Sequence, residues 1–487
     1  MIGPNTVEIT SGNWRIDRIA PLSDVLTVHP YNMWTKAFLD DGNGIRNSFF
    51  ATSCNVALEQ IGGKPAFVEE HGIRRAECTS KANTALYARG LCWNLWSAGC
   101  RSLGWWCAFD QNKLEFAPYD WTSIERELGL FKADGTPKPT VLQMREFAAF
   151  LKTLPFEKLP ARRVDATVVV SEREEFWKVA QGAWLLAAKA GFDIRYALAE
   201  SPLPESDFYI LPSGMGYETY SGAAWRRVLA KAEAGATVLI TLGNGAVLSE
   251  LERVAGVRVE WQHRGNRAVE ATVDGAALSV PETHVRKLTL AGAEQLATDR
   301  GGDPFLTVHP YGKGKIVYCN AAIERNAELT AWPVYARAAK IAGVKRRVTR
   351  SNPLVGITEH PRADGSAVVI AVNYSPKAEE TKPAEAKPKE AAPTEEKSDK
   401  PAKKVIIDRL CVSGVLVQYG KLTLPATGTI EISGNVKVVK DGEGTLTILG
   451  KNTYTGGTVI NGGTLQAYND TTATNYALCY YHDFGAG

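Results

Sequence analysis

Short apolar runs alternate with amphipathic stretches over most of the first 345 residues, and that alternation restricts this part of the chain to parallel βα units. DVLTVHPY (24–31), KPAFVEEHG (64–72) and SLGWWCAFDQ (102–111) read as buried strands. Between the last two lies a helical stretch, Ala82 to Ser97, with Leu86, Leu91, Trp93 and Leu95 among its apolar residues. Val141, Met144, Phe147, Phe150 and Leu151 recur with a period near 3.6 and predict a closing helix. A second block repeats the logic: ATVVVS (166–171), FDIRYAL (192–198), FYILPSG (208–214) and ATVLIT (236–241) are strand-like, with helical stretches such as 178–190 and 223–234 between them. FLTVHPYGKGKIVYC (305–319) reads as a hairpin around Gly312 and Gly314. LTVHPY occurs at both 26–31 and 306–311, but its flanks differ, so it marks no internal repeat.

Beyond residue 345 the pattern changes. VGITEHPRADGSAVVIAVNY has a strand, an Asp364-Gly365 turn and a second strand, and GVLVQYGKLTLPATGTIEI supplies further strand-like runs. Between them, 376–404 is rich in Pro, Ala, Glu and Lys; such a segment buries too little apolar area to offset its ordering entropy and is expected to lack fixed structure. Residues 436–467 are Gly- and Thr-rich with alternating apolar positions, a β-solenoid-like pattern. The stretch 471–487 has no usable pattern.

Composition narrows the function classes. The 487 residues are 45% hydrophobic and 22% charged, so several cores are available. A net charge of +3 gives no reason to expect a nucleic-acid partner or an acidic membrane surface. No apolar run reaches the roughly 18 residues of a membrane-spanning helix. The amino terminus lacks a basic-then-apolar leader pattern. None of the eight cysteines has zinc-ligand or CxxC spacing; core packing is the expectation for them, with at most one disulfide. No metal site and no cofactor is predicted.

The residues that can carry chemistry sit at strand ends. Glu69-Glu70-His71-Gly72 follows the apolar Pro65-Ala66-Phe67-Val68, and the carboxyl ends of parallel barrel strands are where catalytic groups collect. On a regular strand only one of Glu69 and Glu70 can face the barrel mouth. His29-Pro30-Tyr31 ends the preceding strand, and Trp105 and Trp106 lie on the following one. A carboxylate, a His–Tyr pair and an aromatic platform on three adjacent strand ends would build a sugar subsite. Taken singly, a strand-end glutamate is as often an ordinary charged residue, and paired tryptophans are usually core.

With these residues in place, the block 24–151 resembles the back half of a clan A glycoside hydrolase barrel, most closely family 5, the cellulase and mannanase family. There strand six ends in His-x-Tyr, matched by His29 and Tyr31, and strand seven reads Lys-Pro-x-x-x-x-Glu-x-Gly, matched by Lys64-Pro65 through Glu70-His71-Gly72. The resemblance implies that Glu70, not Glu69, is the nucleophile of a retaining β-glycosidase, with His29 and Tyr31 beside it and Trp105, Trp106 and Trp34 as substrate contacts. The family more often has Phe or Tyr where His71 stands. A retaining enzyme needs a second carboxyl roughly 5–5.5 Å from the first; in the family it follows an asparagine, and no Asn-Glu pair occurs in residues 1–155. TVEIT (6–10) would then be strand five, the acid/base half would lie upstream of Met1, and the chain would be an inactive fragment.

Residues 163–345 resemble the glutamine-amidotransferase-like domain that follows the barrel in bacterial β-galactosidases, but the turn Leu242-Gly243-Asn244-Gly245 holds no cysteine nucleophile, which implies a structural or homo-oligomerising role. GEGTLTILGKNTYTGGTVINGGTLQ (442–466) resembles the autotransporter-associated β-strand repeat of exported, surface-associated bacterial proteins. The expected architecture is α/β: strands five to eight of a (β/α)8 barrel (1–160), a flavodoxin-like open α/β domain (161–345), a small β-sandwich with the insertion 376–404 (346–434), the repeat (435–470) and an unassigned tail (471–487). The implied protein is secreted or surface-attached and acts on a poly- or oligosaccharide. The alternative reading is a surface adhesion module that binds carbohydrate without cleaving it.

Overall fold

The structure is a computed structural model and describes residues 15–31, 44–72, 79–117, 119–121, 126–243, 245–246, 248–325, 329–350 and 352–374, with short strands between 381 and 468. Two compact units result: one from 15–153 with 164–344, the other from 154–163 with the described residues after 344. Trp34, the run at 6–10, most of 376–404 and the tail 471–487 lie outside the described residues.

The first unit opens with helix α1 (Ile16–Ile19), strand β1 (Leu26–Val28), helix α2 (Gly44–Gly62), β2 (Ala66–His71), α3 (Lys81–Ser97), β3 (Leu103–Trp105) and α4 (Pro139–Leu151). The three strands form one parallel sheet in the order β1-β2-β3. Ser80 caps α3 by accepting a 3.2 Å bond from the Asn83 amide, and Pro139 opens α4, where a missing N–H costs nothing. Leu26, Val28, Phe50, Leu58, Val68 and Leu91 are fully buried where α2 and α3 cover the strands.

The same unit continues with β4 (Ala166–Val170), α5 (Phe176–Ala190), β5 (Ile194–Leu198), β6 (Phe208–Gly214), α6 (Gly222–Ala234), β7 (Thr237–Leu242), α7 (Leu251–Ala255), β8 (Val257–Val273), β9 (Ala276–Leu290), β10 (Glu294–Thr298), β11 (Pro304–Tyr311), β12 (Gly314–Cys319) and α8 (Trp332–Ile341). A seven-stranded sheet runs β10-β11-β12-β7-β6-β4-β5; the five strands from β12 to β5 are parallel, and the β11–β12 hairpin turns where Gly312 was expected to turn it. Every residue of β4, β6 and β7 is buried, as in a sheet covered on both faces. Helix α2 reaches this sheet too: Gln60 Oε1 accepts a 2.7 Å bond from the amide of Tyr196 on edge strand β5, and Arg15 bridges Asp17 and Glu172 at 2.7 and 2.6 Å.

One feature is absent from the pattern reading. β8 and β9 form a long antiparallel ribbon, closed by Asp274 (φ 48°) and Gly275 (φ 84°) with Val273 opposite Ala276. Asp-Gly supplies the two left-handed residues that a two-residue hairpin demands. The same dipeptide at Asp364-Gly365 closes the second unit's hairpin, as expected there.

In that second unit β13 (Val348–Arg350), β14 (Val355–Pro361), β15 (Ala367–Asn373) and β16 (Thr381–Pro383) form two antiparallel pairs, β14–β15 and β13–β16. Strand β16 corrects one expectation: three residues of the segment read as unstructured pair with β13. Backbone bonds at a short edge need no apolar burial, so a composition argument passes over them. The strands β17 (Thr429–Ile430), β18 (Ser433–Gly434), β19 (Val438–Lys440), β20 (Thr445–Leu449), β21 (Thr453–Tyr454), β22 (Thr458–Ile460) and β23 (Thr464–Tyr468) pair in three parallel ladders, β17-β20-β23, β18-β21 and β19-β22. That is the pairing of a coil with three strands per turn, and among the described residues its first strand is at Thr429, earlier than the Gly- and Thr-rich pattern.

Cys54 and Cys92 are buried free thiols, and burial pushes the Cys92 thiol up to about 12.

Glu324 ties the parallel sheet's carboxyl edge together. Its carboxylate accepts bonds from Ser213 Oγ (2.6 Å), Thr241 Oγ1 (2.7 Å) and Tyr335 Oη (2.7 Å), and it is 1% exposed. Burial pushes its pKa above the ordinary 4.5 despite those donors. A carboxyl raised on folding favours the native state most while protonated, so its contribution is fully present below 4.5 and declines as pH rises through the folded pKa. Glu324→Gln should therefore flatten the fall in stability between pH 5 and pH 8, while Glu324→Ala, which strands three buried hydroxyls, should cost roughly 3 kcal/mol at pH 5 and less at pH 8. Urea titrations of both variants across that range measure it.

Candidate active site

The ends of β1, β2 and β3 converge. His29 and Tyr31 follow β1, Glu69 to His71 end β2, and Trp105 ends β3. Two glycines set this closeness. A side chain at Gly72 would meet the Trp106 carbonyl oxygen at 2.6 Å, and one at Gly104 would meet the Glu69 carbonyl oxygen at 2.0 Å. The Trp106 amide donates to the His71 carbonyl at 2.8 Å, so the backbone after β3 lies directly against the end of β2.

The strand carrying the two glutamates is not regular. Val68 pairs with Leu103, but His71 pairs with Trp105, so Glu69 and Glu70 together oppose the single residue Gly104. This is a β-bulge, which breaks strict alternation and re-aims side chains. Both carboxylates reach His29 as a result: Glu69 Oε2 lies 3.4 Å from Nε2, and Glu70 Oε2 lies 3.5 Å from Nδ1. The side chains of His29, Glu69 and Glu70 are 31, 44 and 27% exposed, so solvent screens these pairs and each contributes little to stability. The alternation expected from strand parity therefore does not separate Glu69 from Glu70.

An aromatic cluster adjoins these three residues. His71 is 2% exposed, its ring stacks 5.4 Å from that of Tyr31, and its Nε2 shares a short hydrogen bond with the Tyr87 hydroxyl from α3. Tyr87 in turn tilts against Trp105 at 6.5 Å. Tyr31, His71, Tyr87 and Trp105 thus form one aromatic floor. Tyr87 was not singled out in the sequence; its spacing within α3 marks it only as a helix residue. Trp105 Nε1 donates to the Leu128 carbonyl at 3.2 Å, while Trp106 is 37% exposed. The loop after them is pinned by a buried pair, Asp110 and Lys138 at 2.6 Å, with Asp110 also accepting from the Gly129 amide at 3.0 Å. The structure thus brings His29, Glu69 and Glu70 together, stacks Tyr31 on the neighbouring residue, and sets Trp105 and Trp106 alongside; Trp34 is outside the described residues. Among the described residues no group of three or more His, Cys, Asp or Glu is placed to hold a metal ion.

Comparison with known proteins agrees with this geometry at the level of fold. Residues 438–467 match the passenger-associated transport repeat family. The chain is 31% identical over 205 residues to the β-galactosidase BglY of Alicyclobacillus acidocaldarius, covering 37% of this chain and 29% of that protein. Its fold resembles an exo-β-1,4-mannosidase from Opitutaceae bacterium strain TAV5, with a TM-score of 0.50 at 19% identity over 66% of this chain and 59% of that one. It also resembles a β-galactosidase from Bacillus circulans sp. alkalophilus, with a TM-score of 0.55 at 14% identity over 75% and 56%. These solved structures are clan A glycoside hydrolases, and this chain spans little more than half the length of either and under a third of BglY.

Burial alone holds the His71 imidazole down to about 3, against an ordinary 6.5. The unfolded chain binds this proton below pH 6.5 and the native state does not, so stability is fully present above 6.5 and is lost as pH falls toward about 3. The slope is at most about 1.4 kcal/mol per pH unit. His71→Phe should remove this component, and chemical denaturation at pH 7 and pH 4.5 should show a smaller acid loss in the variant. An equal loss in both proteins would contradict it.

Proposed function

We propose that the first unit carries the nucleophile side of a retaining β-glycoside hydrolase. The observation that supports this most is the convergence of Glu70, His29, Tyr31 and the Trp105-Trp106 pair on three adjacent parallel strand ends, the place where barrel enzymes gather catalytic groups. Glu70 is the nucleophile: its carboxylate attacks the anomeric carbon, a glycosyl ester forms, and the leaving oxygen departs with the bonding electrons. Tyr31 and His29 orient that carboxylate. Trp105, Trp106 and Trp34 offer flat apolar faces to the sugar.

No acid/base carboxyl is assigned in this chain. General acid assistance is typically worth 10²–10⁴-fold, so natural glycosides with poor leaving groups should turn over slowly here. The substrate class is a β-linked oligo- or polysaccharide, in keeping with the β-galactosidases and the exo-β-1,4-mannosidase that share the fold. The parallel sheet of 164–344 serves as a non-catalytic domain of glutamine-amidotransferase type and as the surface through which copies associate. The repeat at 438–467 supports a location outside the cell or on its surface.

The test avoids any need for a proton donor. 2,4-Dinitrophenyl 2-deoxy-2-fluoro-β-glycosides carry a leaving group that departs unprotonated and trap the glycosyl ester. The galactoside, glucoside and mannoside should be incubated with the chain and the digest read by mass spectrometry. One sugar should label the peptide at Glu70, and Glu70→Gln should abolish the adduct. Saturable oligosaccharide binding without any adduct would favour the binding-module reading instead.

A further inference from the structure

A strap of backbone, residues 126–130, lies against the segment that follows β3. Backbone bonds hold its two ends: the Gln111 amide donates to the Arg126 carbonyl at 3.0 Å, and the Leu130 amide donates to the Cys107 carbonyl at 2.9 Å. Side chains hold its middle. Lys138 Nζ donates to the Glu127 carbonyl at 2.9 Å, Trp105 Nε1 donates to the Leu128 carbonyl at 3.2 Å, and Asp110 Oδ1 accepts from the Gly129 amide at 3.0 Å. The fit is close enough that a side chain at Gly129 would meet the Phe109 carbonyl carbon at 2.3 Å. The Leu128 carbonyl, which receives the indole, thus sits between two residues tied to one ion pair. Asp110 Oδ1 and Lys138 Nζ are 2.6 Å apart, with side chains 5 and 6% exposed.

A buried, hydrogen-bonded pair keeps its geometry, because removing one partner strands a charge away from water. We propose that Asp110 and Lys138 are positioning residues of the candidate active site: through the strap they fix the Leu128 carbonyl, and that carbonyl fixes how the Trp105 ring is turned toward the sugar. The inference rests on Trp105 contacting the substrate. The ring contact of Trp105 with Tyr87 at 6.5 Å is a packing contact, whereas the bond to Leu128 is directional and sets the rotation of the indole. Loss of Lys138 releases the Glu127 carbonyl and leaves the Asp110 carboxylate uncompensated, so the middle of the strap moves and the Trp105 face tilts with it.

The experiment follows indole N–H resonances by NMR in the whole chain carrying isotope-labelled tryptophan; Trp105→Phe identifies the Trp105 signal by its loss. Dissociation constants of the dinitrophenyl 2-deoxy-2-fluoro-β-galactoside, glucoside and mannoside are measured for the wild type, Lys138→Met, Trp105→Phe and the double variant. Lys138→Met should shift the Trp105 signal and speed its hydrogen exchange while the signal of Trp177, in the core of the other sheet, stays in place. It should weaken binding of the sugar that labels Glu70 roughly tenfold, yet change binding little in the Trp105→Phe background, where the bond it acts through is gone. An unmoved Trp105 signal, or an equal loss of affinity in both backgrounds, overturns the proposal. If Lys138→Met does not fold, Asp110→Asn is judged by the same two criteria; it removes the charge and keeps an acceptor for the Gly129 amide. Failure of the wild type to bind any of the three glycosides defeats the reading of the site, and the Trp105 resonance then decides whether the pair fixes the ring.

Discussion

Helix α2 is the element on which the first unit depends. It covers the three-stranded sheet through residues such as Phe50 and Leu58, both fully buried. It also satisfies an edge of the seven-stranded sheet, because Gln60 accepts from the Tyr196 amide of β5. An exposed strand edge is a row of unpaired amides, open to pairing with another chain. Here a side chain from the helix that covers one sheet closes a donor at the edge of the other. Two sheets that read as separate domains therefore share a wall, and Arg15 adds a second tie through Glu172.

The site depends on a different economy of space. Gly72 and Gly104 let backbone run against backbone where no side chain fits, and the bulge between Val68 and His71 turns two consecutive carboxylates toward one imidazole. Half-exposed charges lie above, and a floor of His71, Tyr31, Tyr87 and Trp105 lies below. Buried and neutral, His71 packs as an aromatic residue whose Nε2 is engaged by Tyr87 while its buried Nδ1 has no hydrogen-bond partner.

Much of this was legible in the residues. The strands of the open sheet announced themselves because β4, β6 and β7 are buried on both faces and so read as unbroken apolar runs. The strand-end residues were legible because parallel sheets put chemistry at carboxyl ends. The β8–β9 ribbon is not legible from the pattern, although Asp274-Gly275 is the same dipeptide as Asp364-Gly365; its arms mix charged and apolar residues too evenly for a periodicity argument. The bulge was beyond reach for a deeper reason. Alternation is a property of regular strands, and one extra residue in a register is set by the neighbouring strand, by Gly104 above all, rather than by the glutamates themselves.

The ladders of β17 to β23 have an implication of their own. Among the described residues each rung pairs with the rung before or after it in the same parallel pattern. Such a structure has no fixed length built into its packing: a rung can be inserted or lost and the ladder closes again with the same bonds. Gene duplication within this stretch would therefore act as a ruler. It would alter how far the coil extends while each ladder keeps its own pairing.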